Sequence, residues 1–277
     1  MSGNVSEIAS GNGASGGGSK AGSRLLKGTV SLGYIAASFA LLIALWWGAA
    51  ALSGVSEALF PTPAGALAGL WEIICDGSLT EHIIFSMYRF FAGFLTAVAA
   101  AVILGLVFGW FTPLWRLANP VVQLLRPISP IAWMPFIVLA FGIGDIPAIV
   151  IIFIAAFFPV FLSTVAGVRS VPEIYLKVAD NFGVGRIEIF WKIIFPAAFS
   201  QIVSGVHLAL GTAWVFLVCG EMVGAQSGLG YLIIDARNNL RNDILAADIA
   251  VIGLIGFLLN AGIALIEKRF LKRWGLA

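Results

Sequence analysis

Six stretches without a single charged residue govern what this chain can fold into: 28–56, 90–115, 127–144, 146–168, 193–220 and 249–266. Each reaches or approaches the ~20 apolar residues that a helix needs to cross a bilayer core. Charged residues make up 11% of the chain against 60% hydrophobic, where a soluble domain carries about 25% charged. A chain in lipid must satisfy its own backbone, which leaves helices or closed barrels. The runs are continuously apolar rather than alternating, which excludes a barrel. The sequence therefore predicts an all-α integral membrane protein with about six spans, near 30–52, 84–110, 127–142, 146–167, 196–218 and 249–267. Residues 1–27 are rich in Gly and Ser and read as a disordered tail, leaving 28–277 as the membrane domain. The first apolar run is longer than a signal-peptide core and shows no small-residue cleavage site, so it is read as a retained span.

The distribution of charge sets an orientation. With the N-terminus inside and six spans, Lys20, Arg24, Lys27, Arg116, Arg126, Arg169, Lys177, Arg186, Lys192, Lys268, Arg269, Lys272 and Arg273 fall on the cytosolic side, 13 of the 16 basic residues. The opposite stretch 53–82 holds Glu57, Glu72, Asp76 and Glu81 and no Lys or Arg. That asymmetry predicts cytosolic N- and C-termini. Cys75 and Cys219 then both lie toward the outside. A disulfide is topologically allowed, and two separate thiols are the plainer expectation.

Two places depart from plain greasy helix. In span three, Pro120, Pro127, Pro130 and Pro135 each remove an amide donor and crowd the preceding turn, so the helix should be broken or kinked. Broken membrane helices are tolerated where they are buried or line a cavity. Pro127, Pro130 and Pro135 therefore mark a candidate pathway wall, the plainer reading being a proline-rich lead-in to a short span. The second departure is the polar, then amphipathic, loop 169–195. Ser170-x-x-Glu173 reads as a capping box with Pro172 in the first turn. Val171, Ile174, Tyr175, Val178, Ala179 and Phe182 recur at helical spacing, opposite Glu173, Lys177, Asp180 and Asn181. Gly183 and Gly185 supply helix-stopping residues. The expectation is a helix of roughly 12 residues, about 18 Å long, then a short helical stretch 187–195 and a span opened by Pro196. Such a helix either lies on lipid headgroups or docks a protein. Its polar face is not the basic one that an anionic leaflet favours, which tilts the reading toward a protein.

Ala179-x-x-x-Gly183, nine residues, Ile193-x-Phe195-Pro196 resembles the EAA loop of ABC-importer permeases, which runs Glu-Ala-Ala, three residues, Gly, nine residues, Ile-x-Leu-Pro. Lys177 and Val178 stand where that pattern has Glu and Ala. From span two onward, Arg126-Pro-Ile-Ser-Pro-Ile-Ala-Trp-Met-Pro135, Phe141-Gly-Ile-Gly144 and Glu221 through Gly228-Leu-Gly-Tyr231 to Arg237 are similar to the nitrate/sulfonate/taurine subgroup. The resemblance implies a type I importer permease in a bacterial inner membrane, paired with a second copy or a paralogue. It also implies two ATPase subunits beneath and an extracytoplasmic solute-binding protein above. The ATPase-coupling residues it implies are Glu173, Tyr175, Lys177, Ala179, Phe182, Gly183, Gly185, Ile193 and Pro196. Cargoes in that subgroup include nitrate, bicarbonate, taurine, alkanesulfonates and thiamine-related pyrimidines.

The remaining charges offer candidates rather than assignments. Arg89, two turns into the second apolar stretch, could meet an anionic solute or snorkel to headgroups. Glu221 and Arg237 flank the last outer loop as a gate, a binding-protein contact, a structural ion pair or solvated charges. His207 reads as a helix-to-helix hydrogen bond ahead of a relay. There is no phosphate-binding Gly-x-x-x-x-Gly-Lys-Ser/Thr loop, and no metal, cofactor or catalytic constellation is assigned. ATP hydrolysis is expected in a partner, and no nucleic-acid partner is expected. The competing class is a self-contained secondary transporter or channel, which would need ionisable residues near the midplane.

Overall fold

The computed structural model describes residues 34, 37–52, 54–57 and 59–273. The expected tail 1–27 lies outside them. The chain divides into one unit ending at Val55 and a second beginning at Ser56. The described part of the first is an apolar helix α1, Ala37–Leu52, the later portion of the first expected span.

The second unit is helical throughout its described residues. In order it contains α2 (Pro63–Cys75), α3 (Ser78–Trp110), α4 (Thr112–Leu125), a 3-10 turn (Pro130–Trp133), α5 (Met134–Phe141), α6 (Asp145–Arg169) and α7 (Glu173–Asn181). Then come α8 (Arg186–Ile189), a π turn (Phe190–Ile194), α9 (Phe195–Gly224), α10 (Leu229–Asn238) and α11 (Asn242–Arg273). Four stretches are long and apolar enough to cross a membrane unaided: α3, α6, 186–224 and α11.

Packing shows that α4 and α5 together make a fifth crossing. Gly93 lies against Ile152, Gly105 against Thr164 and Gly109 against Val168, so α3 and α6 run parallel in a fixed register. The chain between Trp110 and Asp145 must return from one end of this pair to the other. It does so through α4, the 3-10 turn and α5, bent by 85°. The break falls at Arg126–Ser129, before Pro130, as the prolines require, although the crossing begins earlier than the expected 127. By contrast α9 packs antiparallel on α6, with Gly205 against Ser163, Gly167 against Gln201 and Gly220 against Ala148. Small residues at these contacts let backbones approach where lipid provides no hydrophobic drive. A Cβ on Gly105 would come 2.6 Å from Thr164 Cβ. The core between the helices is aromatic: Phe90 stacks on Phe94 at 5.3 Å and meets Trp214 edge-on at 5.5 Å. The Trp214 indole donates to the Ile252 carbonyl and ties α9 to α11.

Pro196 sits in the first turn of α9, where the sequence reading put it, although no break separates α9 from the turns that precede it. Residues 186–224 form one continuous helix, and the π turn Phe190–Ile194 sits just ahead of the proline. The wider turn absorbs the missing donor and the ring that would otherwise crowd the preceding carbonyls.

Candidate functional site

Two polar constructions stand at opposite ends of the bundle, designated here the Arg89 end and the Arg169 end. At the Arg169 end, α7 crosses beneath the spans. It covers nine residues, not the expected twelve, and the capping box does not form. Ser170 Oγ instead donates to the Gly167 carbonyl, and Pro172 precedes the helix in extended backbone. Gly183 has φ +70, and Val184 N–H reaches back to the Ala179 carbonyl at 3.0 Å. This is the left-handed closure that glycine permits. Gly185 has φ −64 and needs no such freedom, which corrects the pairing of the two glycines.

The apolar stripe is split between two faces. Ala179 is buried in one cluster with Val168 of α6, Ile189 of α8, and Ile194, Ala198 and Ile202 leading into and along α9; Val171, Leu176 and Ile193 pack against it. Ile174, Tyr175, Val178 and Phe182 point away, with Tyr175 59% and Phe182 83% exposed. Glu173 and Lys177 form an exposed i,i+4 pair. Periodicity alone could not show that a single helix carries an inward seam and an outward aromatic patch.

At the Arg89 end, the Arg89 side chain is 1% exposed and Glu221 is 0% exposed. Arg89 Nη1 donates to Glu221 Oε1 at 2.8 Å and to the Ser227 carbonyl at 2.6 Å, and Nη2 to Ser227 Oγ at 2.6 Å. Its Nε donates to Asp145 Oδ1 at 2.7 Å, and Nη2 lies 2.6 Å from the same oxygen. Each nitrogen of the guanidinium is therefore engaged within the chain, by four hydrogen bonds and a close ion-pair contact. Glu221 also accepts from Ser86 Oγ at 2.8 Å and Gly230 N–H at 2.9 Å. Gly228, at φ +100, presses so close that a Cβ there would lie 2.3 Å from Glu221 Oε1. The knot thereby fastens α3, the start of α6, the end of α9 and the start of α10. Arg89 thus neither snorkels nor holds an unengaged nitrogen. Arg237 is exposed and forms no ion pair among the described residues.

Two features escaped the sequence reading. Arg241 donates to Glu72 at 3.0 and 2.6 Å and also pairs with Asp243, clamping α2 to the start of α11. That guanidinium holds the Glu72 carboxyl below the usual carboxylate range. Asp248 is fully buried in α11, and neither of its carboxylate oxygens has a hydrogen-bond partner. His207 does what the plainer reading expected, meeting Glu267 of α11 at 3.1 Å. Cys75 and Cys219 are separate thiols. Pro130 borders a cavity of about 410 Å³ between the bent crossing, α6 and α9.

The family described as "binding-protein-dependent transport system inner membrane component" matches residues 93–272. The chain belongs to that family. It is 33% identical to the taurine transport system permease protein of Escherichia coli over 246 residues, 87% of this chain and 88% of that protein. It is 34% identical to a putative aliphatic sulfonates transport permease protein of Bacillus subtilis, covering 84% of each. The nitrate import permease protein of Leptolyngbya laminosa is 34% identical over 72% of this chain and 75% of its own length. Among solved structures, an inward-facing methionine ABC transporter superposes with a TM-score of 0.53 at 19% identity, covering 79% of this chain and 99% of that one. That likeness establishes the permease fold. The protein is thus a multi-pass inner-membrane permease of the ABC-importer class, a transport component and not an enzyme. The reading as a self-contained secondary transporter or channel gives way to it.

Proposed function

We propose that this permease works as one of a pair, with a second copy or a paralogue, driven by two ATPase subunits at the Arg169 end and supplied by an extracytoplasmic binding protein at the Arg89 end. The Arg169 end is cytosolic in this reading, and so are both termini: Arg169, Lys177, Arg186 and Lys192 gather there, as the positive-inside bias requires. The observation that carries the proposal is the outward patch Ile174, Tyr175, Val178 and Phe182 on α7. Apolar side chains in water are costly, and aromatic side chains dominate protein contacts. A headgroup-seated helix would favour a basic polar face, whereas Glu173 and Asp180 outnumber Lys177.

Force applied to that patch reaches the spans through Ala179, whose cluster joins α7 to α6 and α9. Gly183, Gly185, Ile193 and Pro196 fix the turn and the entry to α9, and Glu173 and Lys177 frame the patch. ATPase closure then moves α7 as a rigid lever and reorients the pore. Arg89 and Glu221 hold the outer ends of the spans together and do not touch the solute. Pro127, Pro130 and Pro135 shape the pathway wall, and exposed Arg237 meets the binding protein. Relatives named for taurine, aliphatic sulfonates and nitrate share cargoes that carry an oxyanion group, and we assign that chemical class here.

The test is reconstitution in proteoliposomes. Uptake is expected only with ATPases, ATP and loaded binding protein together, and the permease alone should hydrolyse no ATP. Uptake by the purified permease driven by an ion gradient would overturn the proposal.

A further inference from the structure

The cavity between the bent crossing, α6 and α9 carries a chemistry that the Arg89 knot lacks. Arg126 stands at its edge, where α4 ends and the chain breaks; Ser163 of α6 and Gln201 and Thr212 of α9 line its wall amid apolar side chains. The side chains of Arg126, Ser163 and Gln201 form no hydrogen bond or ion pair among the described residues. Thr212 Oγ1 is engaged with the Ala209 carbonyl at 2.9 Å. Close helix packing fixes the free groups in place. A Cβ on Gly205 would meet Ser163 Cβ at 2.5 Å, and one on Gly167 would meet Gln201 Cβ at 2.9 Å.

Unpaired polar side chains facing hydrocarbon are expensive, so this surface faces water, solute or the paired permease rather than lipid. The lining residues of α6 extend from Ile154 to Ala166, roughly 18 Å at the helical rise, and reach toward the Arg169 end. At about 410 Å³ the cavity falls in the range of small-ligand pockets. No Asp or Glu lines it, and its single charge is a guanidinium. Donors without a counter-charge suit an anion and reject a cation.

We propose that this cavity is a waypoint for an oxyanion on the importer's inward path. Arg126 supplies the charge, and Ser163 and Gln201 supply neutral donors to the anion's oxygens. The inference rests on the transport reading above and assigns the pathway cation to Arg126 in place of the fully committed Arg89.

The experiment reads charge preference without needing the cargo. In the assembled importer, with Cys75→Ala and Cys219→Ala, Ser163→Cys is treated with anionic (sulfonate) and cationic (ammonium) methanethiosulfonates of similar size. Rates are normalised to those of a free thiol. The anionic reagent is expected to be favoured about tenfold, the scale of electrostatic focusing in a cleft, and Arg126→Gln should erase the preference. Equal rates, a cationic preference, a preference untouched by Arg126→Gln, or no reaction with either reagent would overturn the proposal. Thr212→Cys serves if Ser163→Cys fails to assemble. In a second arm, uptake of labelled taurine and nitrate by the wild type decides the cargo class separately. For whichever of the two is carried, Arg126→Gln should cut uptake about tenfold while Arg126→Lys restores part of it. If neither is carried, the cargo assignment fails, and the thiol experiment still judges the cavity.

Discussion

Replacing Arg89 by Met should cost the permease stability before it costs it affinity for any solute. The guanidinium is 1% exposed and meets Glu221, Asp145 and both the carbonyl and the hydroxyl of Ser227 at 2.6–2.8 Å. Without it, the Glu221 carboxylate stays buried with only the Ser86 hydroxyl and the Gly230 amide as partners. Removing one member of a buried pair costs about 3–5 kcal/mol. At roughly 2–4 °C per kcal/mol for a chain of this size, the melting temperature should fall by about 10 °C. Replacing both residues, Arg89→Met with Glu221→Met, buries no charge. Asp145, 46% exposed, returns to solvent, Ser86 Oγ still accepts from Leu229 N–H, and the residual cost is chiefly the unpaired Gly230 amide, about 1–3 kcal/mol. The double variant should therefore melt above the single one. Thermal unfolding in detergent, followed by tryptophan fluorescence and gel filtration, measures both. An Arg89→Met protein melting within about 2 °C of wild type, or a double variant melting below the single, would refute this reasoning.

Three further perturbations follow from single observations. Gly183→Val forces a β-branched residue into φ +70 at about 1–2 kcal/mol, so ATPase co-purification should be lost, whereas Gly183→Asn should retain it; the pull-down yield decides. Asp248→Asn replaces a buried carboxyl that has no hydrogen-bond partner by an uncharged side chain of the same shape, so the protein should melt no lower than wild type; a clear drop would reveal a partner. Because Arg241 lowers the Glu72 carboxyl, the clamp on α2 is fully present above the ordinary carboxylate range and weakens as pH falls through the lowered value. Hydrogen exchange in α2 should rise in acid beyond the intrinsic trend, and Arg241→Gln should abolish that dependence.

The all-helical fold, the long apolar helices from α3 onward and the proline break were legible because long uncharged runs and missing amide donors act locally. What escaped the sequence depends on partners distant in the chain. Arg89 and Glu221 were each visible as isolated charges, but only the packing of α3 parallel and α9 antiparallel to α6 brings Asp145 and Glu221 to one guanidinium. The Gly228-Leu-Gly230 motif was noted, and its reason emerged only when Gly228 proved to press on the Glu221 carboxylate. Pro196 was legible as a first-turn residue of α9, but the π turn that joins α9 to the chain before it carries no comparable local signal. Arg126 drew attention only as one of the orienting basic residues and as part of a motif; its value rests on lacking a partner, which a sequence cannot display.

Photo-crosslinking from α7 in native membranes tests the central claim most directly. With benzoyl-phenylalanine at Phe182 or Tyr175, the account predicts covalent capture of the ATPase subunit, lost in Gly183→Val and changed in yield between ATP-bound and nucleotide-free states. Crosslinks confined to lipid, or modification of these positions by an impermeant reagent applied only from outside the cell, would contradict it.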